Sequence, residues 1–270
     1  MPERNGDMPR LDRLRRRASI LAGLAARPLE ALDRAQGRRE LRADEGRSAP
    51  ELQPSPCWAD ELHALLGAPE CTCPEFDSLW SGAVDTLRAS THEPGEGYDA
   101  GVTLGKAAFI CARHLRPEAI VETGVARGMT SRMLLEALEL NGSGHLWSID
   151  LPPLSETWYR ESRAAVPLDR RKRWTYVRGS SRRNLERVLA SLPAQLSLFV
   201  HDSLHTYPTM TWEFDTAWGR LAPGGVLLSD DIDDNASFVD FAERRGVDNV
   251  VVAKEALRSG HIGVLRKPES

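Results

Sequence analysis

With 270 residues, 41% of them hydrophobic and 27% charged, the chain is long enough for one substantial core plus an accessory segment. A net charge of −4 provides no global attraction to nucleic acid, so no nucleic-acid partner is expected. Four cysteines are too few and too irregularly spaced for a disulfide framework, and no apolar run is long enough to span a membrane; free thiols in a cytoplasmic protein are the expectation.

The charge is unevenly spread. The first 47 residues carry 12 basic against 8 acidic side chains. Leu11, Leu14, Ala18, Leu21 and Ala25 recur there at helical spacing, among Arg13, Arg15, Arg16 and Arg17. This reads as a basic amphipathic helical extension over 1–35, with Pro28 opening a second short helix that carries Leu29 and Leu32. No large aromatic anchors its apolar face, so it is expected to pack on its own domain or on a second copy of the chain, as in a homo-oligomer, rather than on a membrane surface. The stretch 18–26 is too short and too interrupted by Gly23 to read as a signal peptide. Residues 36–56, charged and proline-bearing, read as a linker.

A helical lead-in over 57–99 follows. Phe76, Leu79, Trp80, Ala83, Val84 and Leu87 make an apolar stripe, ended by a glycine-rich loop at 93–97. Within the lead-in, Cys71-Thr72-Cys73 lacks the two-residue gap of a zinc knuckle and reads as two free thiols. Another helix covers roughly 100–115.

From residue 119 the pattern alternates between short buried strands and amphipathic helices. Strands are expected at 119–123, 145–150, 174–178, 196–201, 226–230, 249–253 and 262–266. Helices are expected around Met133–Leu138, at 159–165 and 181–192, after His201, and at 236–245. Such alternation specifies an α/β fold: a Rossmann-like, doubly wound, mostly parallel seven-stranded sheet. The connection between the last two strands is too short for a helical crossover, so the last strand should run antiparallel.

In such sheets ligands bind beyond the carboxyl ends of the strands. The first strand ends in Glu122-Thr123-Gly124-Val125-Ala126-Arg127-Gly128, where Gly124 and Gly128 allow a tight turn and close approach to a ligand. The following helix N-terminus suits a carboxylate or phosphate. The spacing departs from the G-x-G-x-x-G of dinucleotide folds. Asp150 ends the second strand, where a carboxylate can accept both hydroxyls of a ribose.

At the chemical end, His201 and Asp202 close the fourth strand and His205 follows three residues later; Asp230 and Asp231 close the fifth. Three carboxylates about one point repel, so either one or more holds a proton or a cation neutralises them. Oxygen ligands of this kind suit Mg²⁺, Mn²⁺ or Ca²⁺. Aspartates at strand ends also cap helices, and Asp233 or Asp234 suits that role. His201, one residue before Asp202, should point the opposite way and serve as a core residue, and Tyr207 should lie on the packed face of its helix. Trp158 and Tyr159 read as lid residues.

In the order of these features, over roughly 100–267, the chain resembles the class I S-adenosylmethionine-dependent methyltransferases. The resemblance implies S-adenosyl-L-methionine as cofactor, held by Glu122, Thr123, Gly124 and Gly128, with Glu122 near the methionine amino group. It implies Asp150 at the ribose, and Gly179 and Ser180 of the stretch 178–181 beside the adenine. The chemical end further resembles a metal-dependent O-methyltransferase branch acting on sugars and phenols of antibiotics. By that resemblance Asp202, Asp230 and Asp231 hold a divalent cation, Mg²⁺ first among candidates, and His205 is the general base toward a small-molecule or glycan hydroxyl.

Overall fold

A computed structural model describes residues 20, 23–45, 51–90, 101–154 and 162–269. Among the described residues, residues 20 and 23–26 are helical, and four helices of defined bounds then precede the sheet: α1 (Pro28–Asp44), α2 (Trp58–Leu65), α3 (Phe76–Ser90) and α4 (Val102–Leu115). Then follow β1 (Ala119–Thr123), α5 (Met129–Asn141), β2 (His145–Asp150), a 3-10 turn (Leu168–Arg173) and β3 (Trp174–Arg178). The rest is α6 (Ser181–Ser191), β4 (Leu196–His201), α7 (Tyr207–Trp218), β5 (Leu221–Ser229), α8 (Ser237–Arg245), β6 (Val250–Lys254) and β7 (His261–Arg266).

The strand order is β3-β2-β1-β4-β5-β7-β6, with β7 antiparallel to both of its neighbours. This is the doubly wound, seven-stranded sheet expected from the alternation. The strand order reverses between the parallel neighbours β1 and β4, so the crevice beyond their carboxyl ends is the natural ligand position.

The period of two distributes each strand between two cores. Ile120, Leu198, Val200, Leu228 and Val264 face α4 and α5, packing with Leu104, Phe109, Met133 and Leu134. Val121, Phe199, Leu227 and Leu265 face α6, α7 and α8, packing with Leu185, Met210, Phe214 and Phe238. Burial on both faces is why these strands read as continuous apolar runs. Among the described residues no helix is long and apolar enough to cross a membrane.

Two expectations need correction. The linker expected at 36–56 begins inside α1, which runs unbroken to Asp44. This helix buries no residue, and its acidic side chains are paired with residues at the carboxyl edge of the sheet. Of the helix expected at 159–165, residues 162–165 form turns and the rest lies outside the described residues, as do Trp158, Tyr159, the loop at 93–97 and most of the basic helix before residue 23. Pro28 does open a helix, at its first turn.

Candidate active site

The carboxyl edge of the sheet opens into a cleft of about 1050 Å³. Its floor is the β1–α5 turn. Gly124 has φ +85° and lies so close to β4 that a Cβ there would sit 1.8 Å from the Asp202 carbonyl oxygen. Only glycine allows this contact, which locks the turn to the strand carrying the acidic residues. Gly128, at φ +89°, caps α5, and a Cβ there would press on Val166 and Arg163.

Alternation then decides where the residues around this turn point. Glu122 shares parity with Ile120 and lies fully buried toward α5, accepting hydrogen bonds from Ser131 (2.6 Å) and Ser148 (2.5 Å). Burial pushes its carboxyl up to about 7, against the pull of the two serines. Thr123 faces the other way and donates to Glu213 on α7 at 2.5 Å. His201 has the same parity as Thr123 and meets the same carboxylate, with its Nδ1 2.7 Å away. Thr123, His201, Ser203 and Glu213 thus form a buried network under the cleft. His201 is fully buried, as its position before Asp202 suggested; Tyr207 is only half-buried and donates its hydroxyl to Asp240.

Among the residues expected at the cofactor, Gly124, Asp150 and Ser180 line the cleft, whereas Glu122, Thr123, Gly128 and Gly179 lie beneath or beside it. Asp150 accepts from the Val125 N–H (3.3 Å) and the Tyr176 hydroxyl (2.9 Å). Burial raises its pKa despite these donors. The Gly179 N–H donates to the Asp150 carbonyl at 2.8 Å, which sets β3's end beside β2's.

The outer wall was not foreseen. Helix α1 lies along the cleft and presents Asp33, Gly37, Glu40 and Leu41 to it. Glu30 is gripped by Arg178 at 2.7 and 3.0 Å, and Asp33 accepts from Ser180 (2.7 Å) and Arg183 (2.8 Å). Glu40 accepts from Thr206 (2.8 Å) and Thr209 (2.6 Å), and Asp44 from the Tyr207 N–H (2.6 Å). Acidic residues at the four-residue and seven-residue spacing of one helix face were the available signal.

At the chemical end, ligand atoms of Asp202, His205 and Asp230 lie within 4.8 Å of one another. Asp231 takes a different direction. Its backbone turns left-handed (φ +44°), and its carboxylate meets His205 Nδ1 at 3.1 Å, in a second cluster with Asp234. The three aspartates expected around one ion are therefore divided by the imidazole: Asp202 and Asp230 on one side, Asp231 on the other. Asp234, expected only as a cap, joins the charged group; its carboxyl is pushed up by burial and by Asp231. Arg258, in the turn between β6 and β7, pairs with Asp230 and reaches Asp231 at 3.4 Å. Nothing in the local sequence marked Arg258; its place follows from β7 lying beside β5.

The electrostatics follow from this crowding. Burial and the neighbouring Asp230 hold the Asp202 carboxyl well above the usual range. Burial alone would lower the His205 pKa, but the Asp231 hydrogen bond and the charges of Asp230, Asp202 and Asp231 outweigh it and push it up to about 9. Burial disfavours the Asp231 carboxylate, yet its bond to His205 and the nearby Arg258 hold it below its ordinary value. One oxygen of Asp230 and the Nε2 of His205 are buried without a hydrogen-bond partner among the described residues. The unpartnered Asp230 oxygen and the Asp202 carboxyl at one cleft wall are hard oxygen donors of the kind that would hold a divalent cation.

Residues 121–232 match the model of a family described as a methyltransferase domain. That segment runs from β1 to just beyond β5 and so includes the glycine turn, Asp150 and the acidic strand ends. No curated protein sequence matches the chain. Among solved structures, the chain is similar to the O-methyltransferase TomG from Streptomyces achromogenes, involved in tomaymycin synthesis and determined in complex with SAM. The identity is 17% and the TM-score 0.52, covering 71% of this chain and 90% of that one. It is also similar to an O-methyltransferase from Bacillus cereus in complex with SAH, at 16% identity and a TM-score of 0.51, covering 78% of this chain and 98% of that one. The sheet is the Rossmann-like fold of these methyltransferase structures, and the stretch that matches the methyltransferase-domain model lies along its cleft.

Proposed function

We propose that the protein is an S-adenosylmethionine-dependent O-methyltransferase, assisted by a divalent cation, that methylates a hydroxyl of a small molecule or sugar. The observation that carries this reading is the meeting of Asp202, His205 and Asp230 at the wall of the cleft that also holds the Gly124 turn and Asp150. Bound S-adenosylmethionine supplies an electrophilic methyl group, and a cation such as Mg²⁺ supplies polarisation of an acceptor oxygen. Asp150 orients the ribose, and Ser180, fixed by Asp33 of α1, lies on the adenine side.

His205 is built as a base with an orienting partner: Asp231 holds Nδ1, while Nε2, without a hydrogen-bond partner among the described residues, lies 3.8 Å from Asp202. In the field of the bare carboxylates it keeps its proton at neutral pH. A cation held by Asp202 and Asp230 would offset that field, and His205 would then be the residue to accept the hydroxyl proton near pH 7. The resemblance of the fold to O-methyltransferases, one of them involved in tomaymycin synthesis, supports hydroxyl as acceptor class.

Arg258 favours a second reading. Its guanidinium pairs with Asp230 and Asp231 and neutralises them without a metal. His205 would then serve alone, but with its proton held to about 9 it accepts poorly at neutral pH. Methyl transfer to a panel of sugar and phenolic acceptors, measured with chelator and after Mg²⁺ addition, separates the two. Activity lost in chelator and restored by Mg²⁺ is expected; full activity in chelator overturns the metal-assisted reading.

A further inference from the structure

Outside the cleft, one set of side chains has a geometry that the fold does not require. His63 on α2, Cys71 and Cys73 in the loop before α3, and His114 at the end of α4 place their ligand atoms within 4.8 Å of one another. The two sulfurs are 3.8 Å apart, Cys73 Sγ is 3.7 Å from His114 Nε2, and His63 Nδ1 is 2.9 Å from that same nitrogen. A tetrahedral cation with bonds of about 2.3 Å to sulfur and about 2.0–2.1 Å to nitrogen requires edges of ~3.8 Å between sulfurs, ~3.6 Å between sulfur and nitrogen, and ~3.3 Å between nitrogens. The sulfur–sulfur edge and the Cys73–His114 edge agree, and the two imidazoles need to part by only a few tenths of an ångström.

We infer that His63, Cys71, Cys73 and His114 form a structural zinc site that fastens the helical lead-in to the methyltransferase domain. Two thiolates and two imidazoles are the donor set that selects Zn²⁺ over the oxygen-seeking cations suited to the cleft. Four protein ligands fill the tetrahedron and leave no open position, so this site is structural.

The surrounding chain is shaped to present these ligands. The Ala68 N–H donates to the His63 carbonyl (2.8 Å), which folds the loop back over its own helix, and the Cys71 N–H donates to the Ala68 carbonyl (3.0 Å). Cys73 adopts φ +46°, a left-handed conformation that is costly for a residue with a Cβ. That turn directs its sulfur inward, buried beside His63, while the Phe76 N–H caps back onto its carbonyl at 3.1 Å. The rings of His63 and His114 meet edge to face with centroids 4.9 Å apart, and the contact between their facing nitrogens is a hydrogen bond that the ion would replace. Zinc binding converts both thiols to thiolates and releases two protons to solvent. The spacing of one residue between the cysteines, which argued against a knuckle, is accommodated because the other two ligands come from separate helices 51 residues apart.

The full chain, purified without chelator and dialysed, is expected to retain about one zinc per molecule. Asp202→Asn should keep that zinc, and Cys71→Ser with Cys73→Ser should lose it. Should the double variant fail to fold, the unmodified chain decides: stripped and reloaded with Co²⁺, it is expected to show thiolate-to-cobalt charge transfer and the visible bands of tetrahedral cobalt. Zinc retained by a folded double variant, no retained zinc, or cobalt bound without a thiolate band would each overturn the assignment.

Discussion

Two groups of ligating side chains lie toward opposite ends of α4, a helix of 14 residues and thus about 20 Å long. At its start, the Thr103 and Leu104 N–H groups donate to Glu255 in the β6–β7 turn, the turn that also carries Arg258 to Asp230. At its end, His114 meets His63, Cys71 and Cys73. The first group is oxygen-rich, unevenly charged and open to a cleft; its carboxylates are opposed by an arginine and a histidine, with donors left over. The second is sulfur- and nitrogen-based, uncharged without its ion, and closed. Incomplete satisfaction is what a reacting substrate requires, and full satisfaction is what a staple requires. The same sheet therefore supports a site that must exchange its ligands and one that must not.

The sharpest break in this comparison comes from His205→Ala. Loss of a general base typically costs ~10²–10⁴-fold in rate. Turnover with saturating cofactor should fall by that order, while the S-adenosylhomocysteine dissociation constant and the zinc content stay unchanged. Retention of full rate at neutral pH would remove His205 from the reaction.

Next in size is Gly124→Ala. The added methyl would lie 1.8 Å from the Asp202 carbonyl oxygen, at a φ of +85° that alanine resists. Strain and displacement together should cost about 3 kcal/mol or more, read as a lower thermal midpoint. Because the turn and β4 are pressed together here, cofactor affinity and metal-dependent activity should decline together. A variant with normal stability would mean that the turn is looser than its contacts indicate.

These two residues were legible in the sequence because their roles are local. Glycine after a strand, aspartate at a strand end and histidine three positions on are all set by chain neighbours and by the parity of β1 and β4. The sheet was legible for the same reason: buried runs of five or six residues alternate with amphipathic helices. The division of the aspartates was less so, since adjacent Asp230 and Asp231 part company through a left-handed turn at Asp231 that no residue type announces. Helix α1 was misread as linker from residue 36 because its partners there, such as Thr209 for Glu40, lie as far as 169 positions away. The Cys71–Cys73 pair was dismissed on spacing alone, and its histidines reach it only through the packing of α2 against α4.

A smaller effect, in pH, distinguishes the open group from the closed one. With its pKa at about 9 against an ordinary 6.5, His205 binds its proton more tightly in the folded state. Its ion pair with Asp231 therefore contributes fully below about pH 6.5, and the contribution disappears as pH rises through about 9. Stability of the cation-free protein should decline across that window, and His205→Gln should flatten the decline. Proton resonances of the imidazole should titrate near 9 without a divalent cation and at lower pH when Mg²⁺ is present. If Mg²⁺ leaves that midpoint unmoved, the cation does not reach Asp202 and Asp230.

The smallest effect tests whether α1 belongs to the open end. Asp33 bonds both Ser180 and Arg183, and one face of α1 lines the cleft. Ion pairs with this much solvent contact contribute ~0.2–1 kcal/mol, and a change of that size in binding is at most about fivefold. Asp33→Ala should weaken S-adenosylhomocysteine by that few-fold factor in a calorimetric titration, with the larger part in the dissociation rate, because the wall over the adenine side loosens. Its zinc content should match that of the unmodified chain, since α1 touches neither α2 nor the loop that carries the cysteines through any bond found among the described residues. Unchanged cofactor affinity would reassign α1 as an outer brace of the sheet edge and leave the turn, Asp150 and Ser180 to hold the nucleoside without it.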